Sequence, residues 1–236
     1  MKSNTLIVSE VFYSIQGEGQ TIGIPSVFLR LGGCNLLCSG EHWICDTISV
    51  WQRGKAKDFV TVLGGAMFNI DRLKNGAHLV ITGGEPLLHQ SAIVEYLNWF
   101  RQMYKFLPII EVETNGTIIP SDDLLNLVDY WNVSPKLSTS GAGSYEKRVN
   151  DVALMKILRY GKDKIFKFVI SCKEDVGEMF EDYDLIPHES IMLMPAGDTQ
   201  ELLNFTRPMV VEMCKEFGVQ YSERLHIVIW NKKTGV

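Results

Sequence analysis

Short apolar runs, each closed by a polar or glycine-rich cluster, recur along this chain and predict the strands of a sheet. A β-rich segment from Leu6 to Ile15 stops at Gln16-Gly17-Glu18-Gly19, where two glycines suit a turn or a close approach of backbone to ligand. Ser26 to Leu31 is an apolar strand interrupted by one charge, Arg30, and it leads into Gly32-Gly33. Residues 55 to 74 read as partly helical, with Gly64-Gly65 blurring the boundaries. His78 to Ile81 is a strand followed by Thr82-Gly83-Gly84-Glu85-Pro86. A helix spans Gln90 to Tyr104, in which Ile93, Leu97 and Phe100 form one apolar stripe. Ile109 to Val112 and Tyr130 to Val133 are strands ending at Glu113-Thr114-Asn115-Gly116 and Ser134-Pro135-Lys136. Between them Ser121 caps a helix whose first turn is acidic. Ile165 to Ile170 and Ile191 to Met194 are further strands, separated by an acidic helical stretch around Glu174 to Asp182. Leu202 to Phe217 is a helix expected to break or kink near Pro208. Leu225 to Trp230 reads as a last strand.

Alternation of strand and helix implies parallel strands joined by right-handed crossovers, with the active face at the carboxyl ends of the strands. A complete eight-stranded barrel usually takes about 250 residues. This chain has 236, with some helices short or missing. The expected fold is α/β, a partial, open TIM-like (β/α) barrel in one domain.

Composition narrows the setting. A hydrophobic fraction of 46% suffices for a sizeable core, and a net charge of −5 argues against a general nucleic-acid binder. Nowhere do 18 apolar residues run together, so no membrane span is expected, and Met1 to Glu10 shows no secretory signal. The expected compartment is therefore the reducing cytoplasm, where disulfides explain cysteines poorly.

Three of the five cysteines stand in one loop, Cys34-x3-Cys38-x6-Cys45, while Cys172 and Cys214 are isolated. Three thiolates are one short of a closed zinc site or an ordinary iron–sulfur site. The polar neighbours Asn35, Ser39, Glu41 and Asp46 argue against plain burial. Two readings remain: His42 completes a Cys3His zinc site in a binding module, or the cysteines hold a cubane cluster with one iron open to an outside ligand. Gly83-Gly84 at a strand end lets backbone carbonyls reach such a ligand, and Glu85 offers an acceptor for an ammonium group. The bland reading is a tight turn with Glu85 at a helix start. The Lys-Ser/Thr ending of a phosphate loop is absent. Arg30 is either a solvent-facing strand residue or a guanidinium fork for a carboxylate.

A cysteine loop after the first barrel strand is the hallmark of radical S-adenosylmethionine enzymes, and this chain resembles one family of them, the 7-carboxy-7-deazaguanine synthases. The resemblance is carried by Phe12-Tyr13-Ser14-Ile15-Gln16-Gly17-Glu18-Gly19, Arg30, Gly33-Cys34-Asn35-Leu36 and Cys45-Asp46-Thr47. It continues in order through Thr82-Gly83-Gly84-Glu85-Pro86, Glu113-Thr114-Asn115-Gly116-Thr117 and Ser134-Pro135-Lys136 to the tail from Leu225 to Val236. It implies a [4Fe-4S] cluster on Cys34, Cys38 and Cys45, with S-adenosylmethionine on the open iron, held by Ile44, Asp46, Gly83, Gly84, Glu85, Ser134, Pro135 and Lys136. It further implies Mg2+ at Thr47 and a 6-carboxy-5,6,7,8-tetrahydropterin substrate held by Ile15, Gln16, Gly17, Glu18, Arg30 and Thr82. The implied reaction is ring contraction to 7-carboxy-7-deazaguanine with loss of ammonia, a carbon–nitrogen lyase step toward deazapurines such as queuosine. An external electron donor such as flavodoxin and a homodimer are implied with it. One departure is the last cysteine gap, x6 where x2 is commoner, and Ile44 stands where an aromatic usually precedes the third cysteine. The alternative within the superfamily is an activating enzyme for a glycyl-radical partner, which needs neither Gln16, Arg30 nor the Thr47 site. Pro195 to Asp198 is placed on the same rim, and His226, inside the matching tail, either faces the substrate or, as the favoured reading, is a satisfied core histidine.

Overall fold

The computed structural model describes residues 4–40, 44–63, 67–233 and 235. Glu41, His42, Gly64, Gly65, Thr234 and Val236 lie outside the described residues, so the His42 ligand reading does too. The strands are β1 (Thr5–Ile15), β2 (Pro25–Leu31), β3 (Lys55–Asp58), β4 (His78–Gly83), β5 (Ile110–Thr114), β6 (Tyr130–Val133), β7 (Asp163–Ile170), β8 (Ile191–Pro195) and β9 (Gln220–Tyr221). The helices are α1 (Ile48–Trp51), α2 (Met67–Lys74), α3 (Gln90–Tyr104), α4 (Asp122–Leu127), α5 (Tyr145–Arg148), α6 (Asp151–Tyr160), α7 (Glu174–Asp182), α8 (Gln200–Phe217) and α9 (Leu225–Trp230).

Among the described residues one sheet runs β3-β1-β2-β4-β5-β6-β7-β8-β9, with β3 and β9 as free edges rather than neighbours. This is the open, partial barrel. From β2 to β9 every pairing is parallel, as the alternation of strand and helix predicts. The two pairings of β1 are antiparallel, against the expectation of parallel strands throughout. Residues 16–24 are too few for a crossover, which takes a dozen or more. They turn back instead, with Gln16 N donating to Ile24 O at 2.7 Å and Gly23 N to Gln16 O at 2.7 Å.

Strand geometry then divides the chemistry. Successive side chains point to opposite faces of a sheet. Leu29, Leu31, Leu79, Ile81, Ile110, Val112, Trp131, Val133, Phe166, Phe168 and Ile170 share one apolar core with the helices outside the sheet. Their alternates Arg30, Thr82, Glu113, Asn132 and Lys167 line an inner cavity. The expected α3 stripe is present: Ile93, Leu97 and Phe100 are fully buried, joined by Tyr96. Each such burial stabilises by about 2 kcal/mol.

The structure sharpens or corrects three further expectations. Within the stretch from 55 to 74, read as partly helical, Met67–Lys74 is the helix α2 and Lys55–Asp58 is an edge strand paired to Thr5–Val8. The helix α8 continues through Pro208, with Gly218 at its left-handed C-cap. Leu225–Trp230 is the helix α9, although Ile227-Val228-Ile229 reads as strand. Its first residue is docked on the turn after β1, Leu225 N donating to Gly17 O at 2.8 Å, and that tertiary contact overrides propensity. The helix α6, capped by Asn150 accepting from Ala153 N, was not foreseen.

Candidate active site

The cysteine loop leaves β2 and folds over the carboxyl ends of the strands. Cys34, Cys38 and Cys45 gather with Leu36 and Ala142 in a small apolar cluster apart from the main core. The longer gap does not separate the last two cysteines. Ser39 and Ile44 form an antiparallel bridge, and Cys45 N donates to Cys38 O at 3.1 Å, so the two cysteines stay side by side across the longer gap. Burial raises the Cys34 thiol to about 11, with Glu85 and the two other thiols adding to it. Burial likewise raises Cys38, against the pull of the Lys136 ammonium. These thiols stay protonated at neutral pH until a metal displaces the protons. Among the described residues no three His, Cys, Asp or Glu side chains converge closely enough for a single metal ion. A cubane distributes its thiolates over separate irons, so the donor set fits a cluster better than a lone ion.

Against this loop lie the two glycines that end β4. A Cβ on Gly84 would stand 2.3 Å from Gly33 O and 2.7 Å from Cys34 Cβ, so no other residue fits there without moving the cysteine loop. Glu85 follows the two glycines. It is fully buried, and its carboxylate accepts from Leu87 N at 2.9 Å, Thr114 Oγ1 at 2.7 Å and Asn115 N at 2.7 Å. Burial raises its pKa despite those bonds. Glu85 therefore joins the Gly-Gly turn to the Thr114-Asn115 turn from beneath, and the glycine backbone is what faces the cavity. Pro135 is also off the cavity wall, while Ser134 and Lys136 line it. Lys136 Nζ donates to Ser134 Oγ at 2.8 Å, and the Lys136 carbonyl is held by Arg148 and Tyr183, each at 2.8 Å.

The three cysteines, the Gly83-Gly84 turn, Ser134 and Lys136 open on one cavity of about 630 Å³, within the usual range for small-molecule sites. Its wall includes Ile15, Gln16, Gly17, Glu18, Arg30, Ile44, Asp46, Thr47, Thr82, Gly83 and Gly84 beside the three cysteines. Arg30 donates through Nε to Glu10 at 2.8 Å, and its Nη groups make no hydrogen bond among the described residues. Thr47 Oγ1 is 3.4 Å from Cys45 Sγ. The Gln16 amide is saturated within the protein: Nε2 donates to Glu111 at 2.6 Å and Glu113 at 3.0 Å, and Oε1 accepts from Gly17 N and Glu18 N. Glu18 is ion-paired to Lys167 and to Arg224. Burial opposes its charge, yet Lys167, Arg224 and His226 together hold its pKa well below the ordinary value.

The residues that sequence reasoning missed are Glu111, Asn132, Lys167 and Arg224. The first three were visible as single polar residues inside apolar strands, a signal read only at Arg30. Glu113 was seen as part of a motif; its pKa is raised by burial against the pull of Lys167. His226 is no core histidine. It lines the cavity from α9 and packs on Gly17, and burial lowers its pKa.

Three clustered cysteines, Cys38 buried and Cys34 and Cys45 half-buried, at the mouth of an open barrel with a glycine turn against them, define an iron–sulfur enzyme of the radical S-adenosylmethionine type. The sequence profile of the 4Fe-4S single cluster domain matches residues 15–147. The chain is 34% identical to a 7-carboxy-7-deazaguanine synthase of Halobacterium salinarum, over 96% of this chain and 91% of that protein. It is 32% identical to the one of Pyrobaculum aerophilum, over 97% and 96% respectively. The crystal structure of QueE from Escherichia coli shares the fold, with a TM-score of 0.68, 24% identity, and coverage of 94% of this chain and 95% of that one. The chain belongs to the 7-carboxy-7-deazaguanine synthase family.

Proposed function

We propose that this chain contracts the ring of 6-carboxy-5,6,7,8-tetrahydropterin to 7-carboxy-7-deazaguanine with loss of ammonia, as a carbon–nitrogen lyase. Substrate and product differ by one ammonia, so the reaction needs no net oxidant, and the hydrogen removed at the start returns at the end. The observation that carries the reading is a single cavity with the three cysteines and the Gly83-Gly84 turn at its mouth and a polar inner face beneath.

Cys34, Cys38 and Cys45 would hold the [4Fe-4S] cluster, and the Gly83-Gly84 backbone with Ser134 and Lys136 would hold S-adenosylmethionine. When bound, this pair supplies the 5′-deoxyadenosyl radical. The chain's own part is to hold the substrate carbon against that radical and exclude water and oxygen. Arg30, anchored through Nε to Glu10, turns its remaining guanidinium N–H groups to the substrate carboxylate. Thr82 and Glu113 bound the pterin ring from the inner face. The Glu113 carboxyl, its pKa raised by burial, is suited to exchange a proton with a ring nitrogen. Thr47 would carry Mg2+, which needs few protein oxygens when the ligand and water supply the rest. A homodimer, a single catalytic domain, a cytoplasmic setting and an external reductant such as flavodoxin follow from the family resemblance. In anaerobic, cluster-loaded protein, Arg30→Ala should weaken carboxy-pterin binding far more than S-adenosylmethionine binding. Equal losses in the two titrations would remove Arg30 from the substrate site.

A further inference from the structure

Arg224 joins three segments that are far apart in the chain. Its Nε donates to Glu18 at 3.0 Å, across 206 residues. Nη1 donates to Gly197 O at 2.6 Å, and Nη2 donates to Asp46 at 2.5 Å, across 178 residues. The guanidinium is mostly buried, with its side chain 12% exposed. Its own backbone is fixed from below. Arg224 N donates to Glu223, whose carboxylate is in turn held by Arg207 Nε at 2.6 Å and Tyr221 Oη at 3.1 Å. The neighbouring turn is stitched to the same segment, Gly19 N donating to Ser222 Oγ at 2.9 Å and Leu225 N to Gly17 O at 2.8 Å.

We propose that Arg224 is a positioning residue that locks the Gly17–Gly19 turn, the Cys45–Thr47 loop and the Gly197 rim into one rigid mouth. This rests on the reading above, in which the first of these holds substrate and the second carries a cluster ligand and the magnesium site. The three partners differ in how much they depend on it. Glu18 keeps Lys167 when Arg224 is lost. Asp46 has no other hydrogen-bond partner among the described residues, so the loop carrying Cys45 and Thr47 loses its tie to the far wall. The two carboxylates, both turned to one guanidinium, would then repel each other. Lysine at 224 keeps the charge but cannot fork to three acceptors, so it restores attraction without geometry.

Two measurements decide this. In hydrogen–deuterium exchange on cluster-loaded protein, Arg224→Gln should speed exchange about tenfold in both peptides covering 16–20 and 44–48, a typical size for coupling between sites. Faster exchange confined to 222–228 would overturn the tie. Arg224→Lys should fold and melt like the wild type yet raise the KM for the carboxy-pterin, with a smaller change in kcat. An unchanged KM in that folded variant would also overturn it. If the wild type makes no ring-contracted acid, the functional reading fails, and the exchange result still decides the tie by itself.

Discussion

Gln16 donates through Nε2 to the fully buried carboxylate of Glu111 at 2.6 Å, across 95 residues of chain. The same carboxylate accepts from Thr21 Oγ1 at 2.7 Å and from Asn132 Nδ2, and His78 Nδ1 lies 3.4 Å away. Glu111 thus fastens the turn after β1 to the inner face of β5 and β6. With both of its N–H groups committed, Gln16 presents a fixed Oε1 to Gly17 N and Glu18 N. It thereby shapes the turn that borders the cavity.

Replacing that carboxylate leaves several buried donors without an acceptor. Glu111→Leu should lower stability by about 3 kcal/mol or more. Urea denaturation of the purified protein measures this directly. A loss within the range of a surface substitution would show that the hub is not part of what holds the barrel together.

The fold was largely legible because its main signals are periodic. The α3 stripe and the run of apolar strands depend on local spacing, and both appear where spacing puts them. The inner face was harder to read. One polar residue in an apolar strand, as at Glu111, Asn132 or Lys167, does not reveal which face is the wet one until the strands are registered side by side. Arg224 was legible neither by motif nor by period, and His226, inside the matching tail, was legible only as a choice between core and substrate. Their roles arise from α9 docking on Gly17, a contact between segments far apart in the chain. At Glu85 the motif was legible and the orientation was not, since a carboxylate after two glycines can face a ligand or turn inward.

Gly17 is required by a neighbour rather than by its backbone angles. A Cβ there would stand 2.4 Å from His226 Nδ1 and 3.2 Å from His226 Cβ, too close for a small ring rotation to relieve. Gly17→Ala should therefore destabilise the protein by about 1–3 kcal/mol, the range for overpacking. In the Gly17→Ala, His226→Ala double variant most of that loss should vanish, as expected for residues in contact. Thermal or urea melts of the two single variants and the double variant complete the cycle. Additive losses would mean that the histidine is not what excludes a side chain at 17.

Glu18 sets a pH dependence whose direction follows from its partners. Its pKa in the folded protein is depressed below the ordinary 4.5 by Lys167, Arg224 and His226, which outweigh the opposing effect of burial. The stability it contributes is therefore complete above the ordinary value and is lost as pH falls through and below it. Melting temperatures taken from about pH 6 down to about pH 3 should fall less steeply for Glu18→Gln than for the wild type. The variant should also be less stable at neutral pH, since Lys167 and Arg224 lose a buried counter-charge. Parallel acid limbs would show that the Glu18 cluster is too well solvated to matter.

Whether the cavity beneath the cysteine loop performs the ring contraction is decided by incubating reconstituted protein, without oxygen, with 6-carboxy-5,6,7,8-tetrahydropterin, S-adenosylmethionine, magnesium and a reductant, and analysing the products by mass spectrometry. Wild type should yield 7-carboxy-7-deazaguanine and one ammonia per turnover, and Cys38→Ala neither. Absence of the ring-contracted acid from cluster-loaded wild type, or its formation at an equal rate by Cys38→Ala, would contradict the proposed function.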